Sequence, residues 1–123
     1  MKREPVIPET KGDFFFTTNG VVYYSEKITL PENCTLTIEL KTISDDGSPD
    51  NIFAREQYEV TSQVPFEFSV PYKPYDRPVN GLNVLEARIE HEGRVLWSNE
   101  ENFEFEKEED PNDLKVRLIQ VRG

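Results

Sequence analysis

The sequence predicts an all-β protein, a single antiparallel β-sandwich of about seven to eight short strands. Two observations support this prediction. No segment of ten or more residues has a helical period of apolar residues, and short alternating or β-branched runs recur between turn-forming residues. The length of 123 residues fits one domain that can bury a core without a metal or a disulfide.

The N-terminal half contains three predicted strand regions. Residues 14–24 are rich in aromatic and β-branched side chains, and Asn19-Gly20 within them either closes a hairpin or marks a bulge in one long bent strand. From Cys34 to Ile43 apolar and polar residues alternate, which predicts a half-buried strand with an exposed polar side. Turn formers then lead to a return strand at residues 52–60.

The C-terminal half predicts a strand at residues 66–70 that lies at a sheet edge or ends at Pro71. Residues 72–82 are predicted to form a long exposed loop. Residues 84–90 and 93–98 are predicted to pair as a hairpin around His91-Glu92-Gly93. The apolar stretch 114–121 is either a last strand or an appended tail.

Three regions follow from these patterns. Residues 1–12 are predicted to be a flexible leader, because they are polar and lack periodicity. Residues 13–106 are the predicted β-sandwich domain. Residues 107–123 are an acidic break followed by the possible last strand or tail.

Composition excludes several classes of partner. The formal net charge of -10 disfavours nucleic acid and anionic lipid, whose recognition depends on Lys and Arg. No apolar run approaches the roughly 20 residues that span a bilayer. The single cysteine excludes an internal disulfide and a Cys-based metal cluster.

The sequence offers no catalytic or metal-binding motif. The one histidine, His91, falls in a predicted turn, and the 24 acidic residues make a close carboxylate pair uninformative. The acidic turn at residues 45–50 lacks the ligand spacing of an EF-hand. We therefore expect a protein that is not an enzyme and has neither a cofactor nor a metal.

Aromatic side chains are the candidates for partner contact. In a strand, consecutive aromatic residues alternate between the two faces, so part of the run at residues 14–16 points away from the core. Tyr72 and Tyr75 lie in the proline-rich predicted loop, whereas a core position is favoured for Trp97. The candidate partner-binding residues are Phe14, Phe16, Tyr72, Tyr75 and Trp97.

An ordered series of segments resembles a known family. The segments are Tyr23-Tyr24-Ser25-Glu26-Lys27-Ile28-Thr29-Leu30-Pro31, Val64-Pro65-Phe66-Glu67-Phe68 with Pro71-Tyr72, Leu85-Glu86-Ala87-Arg88-Ile89, Gly93 and Leu96-Trp97. Together they resemble the small bacterial envelope lipoproteins of the YbaY and YscW family. The resemblance implies a compact β-sandwich, a lipid anchor at the start of the mature chain, and a pilot that escorts secretin subunits to the outer membrane.

The expected function is therefore that of a non-catalytic envelope module that binds a secretin-like subunit or a second copy of itself. The alternative is a carbohydrate-binding or cell-surface module that uses exposed aromatic rings. Cys34 follows predicted turn residues inside the domain, so it is not expected to be an acylated first residue, and any membrane contact is expected to be through a lipid anchor not present in this chain. A periplasmic or outer-membrane location is expected if such an anchor was removed.

Overall fold

The computed structural model describes residues 16–26, 28–45, 47, 49–60, 65–73, 81–99, 103–105 and 112–121. Seven strands run through this part of the chain. They are β1 (Phe16–Tyr23), β2 (Cys34–Ile43), β3 (Asn51–Glu59), β4 (Phe66–Tyr72), β5 (Leu82–His91), β6 (Arg94–Asn99) and β7 (Leu114–Gln120).

All seven strands form one sheet in the order β3-β2-β5-β6-β7-β1-β4. The pairs are antiparallel except for β1 and β7, which run parallel. The two end strands, β3 and β4, approach each other, so the sheet curls into a nearly closed, barrel-like layer. The all-β, single-domain prediction is confirmed, while the description of the fold as a sandwich stays a prediction.

The core lies inside the curled sheet. Strand β2 contributes its whole apolar side, and its bounds match the sequence prediction. The other strands add alternating side chains from their inner faces. The fully buried large side chains are Trp97, Phe105, Leu36, Ile38, Leu40, Leu85, Ile89, Leu114, Leu118, Val22, Val70 and Val84.

Strand β1 runs through Asn19-Gly20 without a hairpin. Its pairing with β4 keeps a constant register from Phe16 to Val22, so neither the hairpin nor the bulge forms. Gly20 instead allows close approach of β7, because a Cβ atom there would overlap the Leu114 carbonyl oxygen. The glycine serves strand packing and not a turn.

Strand β4 lies at an end of the sheet, as predicted, but it does not stop at Pro71. It continues to Tyr72, and Pro71 pairs with Thr17 of β1. A proline is compatible with an edge strand when its nitrogen faces away from the neighbouring strand. The prediction that Tyr72 belongs to a loop is therefore wrong, and residues 74–80 of that loop lie outside the described residues.

The structure tests two predictions about the C-terminal half, the hairpin and the last apolar stretch. The β5–β6 hairpin is confirmed, and Glu92 and Gly93 both have positive φ angles, as a type I′ turn requires. The stretch at residues 114–121 is a strand and not a tail. Strand β7 lies between β6 and β1, so it is an inner strand of the sheet and not an end strand.

The polar side of β2 differs from expectation. Thr37 is fully buried and Glu39 is 3% exposed, although the alternation predicted an exposed side. Charged side chains of β3 and β5 cover these positions, because β2 lies between the two strands. The outer face here is a packed polar network.

Candidate protein-binding site at the β3–β4 seam

The most distinctive surface is the seam, the line along which the end strands β3 and β4 face each other. Among the described residues, β3 forms a ladder only with β2, and β4 only with β1. The seam is held by side chains where the other strand junctions are held by backbone hydrogen bonds. It is therefore the junction at which the sheet can most readily receive another segment.

Tyr58 and Ser69 join the two edges near the middle of the seam. The Tyr58 hydroxyl donates to the Ser69 carbonyl oxygen and accepts from the Ser69 N–H, both at 2.9 Å. Tyr58 pairs with Leu36, whose side chain is in the core, so the tyrosine ring reaches β4 from the inner face. One hydroxyl thus satisfies both polar groups of one edge residue.

Aromatic rings fill the end of the seam near Tyr72. The Tyr72 ring lies 5.7 Å from Phe53 of β3, 5.9 Å from Phe16 of β1 and 5.9 Å from Phe105, each in an edge-to-face arrangement. Phe53 is the extra residue of a bulge between the Leu40–Ala54 and Lys41–Ile52 pairs. The bulge re-aims its side chain, which packs against the core and reaches Tyr72.

A cavity of about 350 Å³ lies at the other end of the seam, between residues 58–60 on one side and residues 65–67 on the other. Its apolar lining comes from buried Leu36 and Phe66 together with part-buried Val60. The volume corresponds to that of one or two aliphatic side chains.

Exposed carboxylates flank the mouth of this cavity. Glu59 lies on β3 and Glu67 on β4, and each points to the outer face of its strand. The chain as a whole carries a net charge of -10, so the two carboxylates add to an acidic surface around the cavity. Such a surface complements an apolar segment that carries lysine or arginine.

On the outer face of β2, by contrast, the charged side chains are paired with one another. Arg88 holds both Glu39 carboxylate oxygens at 3.0 and 3.1 Å, and the Arg55 guanidinium lies 2.7 Å from the second. Burial opposes the charge of Glu39, but the hydrogen bonds from Arg88 and Arg55 outweigh it and lower the pKa of its carboxyl. Lys41 is likewise held by Glu86 at 2.7 Å. This face is a satisfied network and offers few groups to a partner.

The aromatic residues predicted to bind a partner have different environments. Trp97 is 1% exposed and stacks on Tyr24 with ring centroids 4.1 Å apart, so the core position favoured by the sequence is confirmed. Tyr72 is 7% exposed and supports the seam from within. Phe16 is 43% exposed beside it. Phe14 and Tyr75 lie outside the described residues.

The geometry gives little support to the other functional hypotheses. In the described part of the chain, Glu39 is the single buried carboxylate, and it is neutralised by two arginines instead of facing a second carboxylate. His91 is the last residue of β5, beside the tight turn. Of the rings that could stack on sugars, Trp97 and Tyr72 are buried, and Tyr75 lies outside the described residues. No group of potential metal ligands occurs among the residues described.

Sequence reasoning missed Tyr58, Glu59 and Glu67. They are ordinary polar positions of two separate strands, and only the curling of the sheet brings the strands together. The one available signal was Pro71, which indicated that β4 is an edge strand. No comparable signal marked β3 as the opposite edge.

The curled sheet with its side-chain-held seam defines a small all-β domain, and two comparisons identify its class. A solved structure of an alternative pilotin from the type II secretion system of Vibrio cholerae matches with a TM-score of 0.77 and 25% sequence identity, covering 89% of this chain and 100% of that one. The model of the type III secretion system lipoprotein chaperone (YscW) family matches residues 16–118. The chain belongs to this family, as the resemblance predicted.

Two negative findings accompany this family assignment. No curated protein sequence matches the chain. Among the residues that the structure describes, none forms a helix long and apolar enough to cross a membrane.

Proposed function

We propose that the chain is a pilotin-type chaperone that binds a short apolar segment of a secretin-like outer-membrane subunit at the β3–β4 seam. The observation that carries this proposal is the seam itself, with a cavity lined by Leu36, Val60 and Phe66 and flanked by Glu59 and Glu67, between two strands that no backbone ladder joins in the described chain. Family membership supports the proposed class of partner, and the geometry of the seam supports the proposed surface.

Phe16 extends the proposed surface at the end opposite the cavity. Its ring packs edge-on against Tyr72 and leaves 43% of the residue exposed, a large apolar area at the start of β1. Tyr72 lies beneath this surface, where its ring packs against both Phe16 and Phe53. A partner segment that follows the seam would thus meet apolar surface at both ends.

We place its action in the envelope, on the periplasmic side of the outer membrane, because the family consists of lipoprotein chaperones of a secretion system. The role requires no catalytic group. Binding energy comes from desolvation of the seam and from charge complementarity at its rim.

The test is binding of the purified chain to short overlapping peptides that cover the secretin of the same bacterium, measured by fluorescence anisotropy. A Glu59→Lys/Glu67→Lys variant reverses the charge on both sides of the cavity mouth. We expect at least one peptide to bind the wild type, and the double variant to bind it about tenfold or more weakly, because two favourable charge pairs become repulsive.

Glu92→Lys is the control, since the Glu92 side chain is 78% exposed in the β5–β6 turn and strand β2 lies between β5 and β3 in the sheet. It alters net charge in the same direction but leaves the seam unchanged. The absence of any binding peptide, or an equal loss for the control and the seam variant, would contradict the proposal.

A further inference from the structure

The polar edge of β4 indicates what conformation the bound segment adopts. Both the N–H and the carbonyl of Ser69 bond to Tyr58, so they point away from β1 and toward the seam. Because backbone groups alternate in direction along an antiparallel strand, those of Glu67 and Pro71 face the seam as well. Proline has no N–H, so Pro71 can occupy such a position without loss of a ladder bond.

Tyr58 reproduces the bonding of a neighbouring strand at this edge. In an antiparallel ladder, a hydrogen-bonded pair exchanges two N–H···O bonds, and the Tyr58 hydroxyl forms both of these bonds with Ser69. The two bonds lie at an exposed position. Their replacement by two backbone bonds from another chain therefore leaves the Ser69 groups satisfied throughout.

We infer that the partner segment binds as an extended strand along β4. In the free protein, the Tyr58 hydroxyl makes the hydrogen bonds to Ser69 that the segment makes in the complex. The inference rests on the proposed function and specifies its mode. On binding, the segment displaces the Tyr58 hydroxyl and pairs its own backbone with Ser69 and Glu67. Strand addition of this kind obtains affinity from main-chain bonds and specificity from alternate side chains.

The register of β4 specifies the chemistry of that segment. A residue opposite Glu67 shares its outer face, where lysine or arginine forms a favourable cross-strand pair. The residues on either side of it lie opposite buried Phe66 and Phe68 and point inward, toward the cavity lined by Leu36 and Val60. The segment therefore has the pattern apolar, basic, apolar, with β-branched residues favoured at the inward positions.

A helix bound in the same groove behaves differently. Its backbone N–H and carbonyl groups bond within the helix and cannot replace Tyr58 at Ser69. Changes at the Ser69 N–H or the Tyr58 hydroxyl then leave affinity unchanged. The two modes are distinguished by substitutions that alter only these groups.

The test uses the secretin peptide that binds the wild-type chain, with three variants of the full chain. Ser69→Pro removes the N–H that the partner needs while retaining an edge-compatible residue, and Ser69→Ala is its control with an intact backbone. Tyr58→Phe removes the competing hydroxyl. We expect about tenfold or more loss of affinity for Ser69→Pro, little change for Ser69→Ala, and about three- to tenfold gain for Tyr58→Phe.

A second measurement covers the case in which Ser69→Pro fails to fold. Amide hydrogen exchange in the wild-type chain is expected to slow at Glu67 when the peptide binds, because its N–H gains a partner. Unchanged exchange at Glu67, or equal affinity of the wild type and Tyr58→Phe, overturns strand addition while the proposed function stands. If no secretin peptide binds the wild type, the proposed function fails and this inference fails with it.

Discussion

At the scale of single residues, the most demanding position is Glu39. Its carboxylate is almost fully removed from water and is held by Arg88 through two hydrogen bonds and by Arg55 through an ion pair. A buried charge is tolerated only with such partners, and removal of Glu39 leaves Arg88 with the less buried Glu86 and Glu90 as its partners.

Glu39→Gln is therefore expected to lower the free energy of unfolding by about 3 kcal/mol at neutral pH. The pKa of Glu39 is lowered in the folded state, so its contribution is complete above the unfolded pKa of about 4.3 and is lost as the pH falls through the folded pKa. Urea unfolding at neutral and at acidic pH measures this. The difference between wild type and variant should shrink below about pH 4.

Glu92→Gln serves as the control for this prediction, because its side chain is exposed. It is expected to change stability by less than about 0.5 kcal/mol. A wild-type-to-Glu39→Gln difference that stays constant through the acidic range would contradict the assigned role of Glu39.

Glu39 also illustrates the limit of sequence patterns at this scale. Alternation correctly assigned Leu36, Ile38 and Leu40 to the core, because a strand with one apolar side must bury it. The same rule assigned Glu39 to solvent, since alternation distinguishes the two faces but not how neighbouring strands cover them. Arg55 and Arg88 reach Glu39 from strands distant in the sequence.

At the scale of elements, β7 matters most for the integrity of the sheet. It pairs with β6 on one side and β1 on the other, and Leu114, Val116 and Leu118 are each at most 1% exposed. The sequence left this stretch as either a strand or a tail because the acidic residues before it separate it from the other apolar runs.

A chain that ends at residue 106 is therefore expected not to fold. Loss of three buried aliphatic side chains removes about 5 kcal/mol or more of burial energy, which is comparable to the total stability of a small domain. Circular dichroism and proton NMR dispersion measure the outcome. A chain that ends at Val121 is the control and should fold, whereas a folded, dispersed spectrum for the shorter chain would contradict the assigned position of β7.

The elements also show which parts of the fold were predictable. Local signals identified β2 and the β5–β6 hairpin, because alternation and an Xaa-Gly turn act over a few residues. They did not identify the strand order, which depends on distant pairings such as β1 with β7. The site depends on that order, so β3 and β4 could not be joined into a seam from the sequence.

At the scale of the whole molecule, the seam and the charge distribution act together. The sheet curls until its two end strands meet, yet the described residues close it through side chains such as Tyr58. The outer face of β2 satisfies its charges internally, whereas the net charge of -10 and the carboxylates beside the cavity favour the approach of a basic segment. These two features together are the basis on which we propose the seam as the binding surface.

The most direct test of this account is an NMR titration of the nitrogen-15-labelled chain with the secretin peptide that it binds. We predict that the largest amide shifts follow the seam, at Val60, Glu67 and Ser69, with small changes in the β5–β6 turn. Shifts confined to the β5–β6 turn or to the outer face of β2 would contradict the claim that the seam is the binding site.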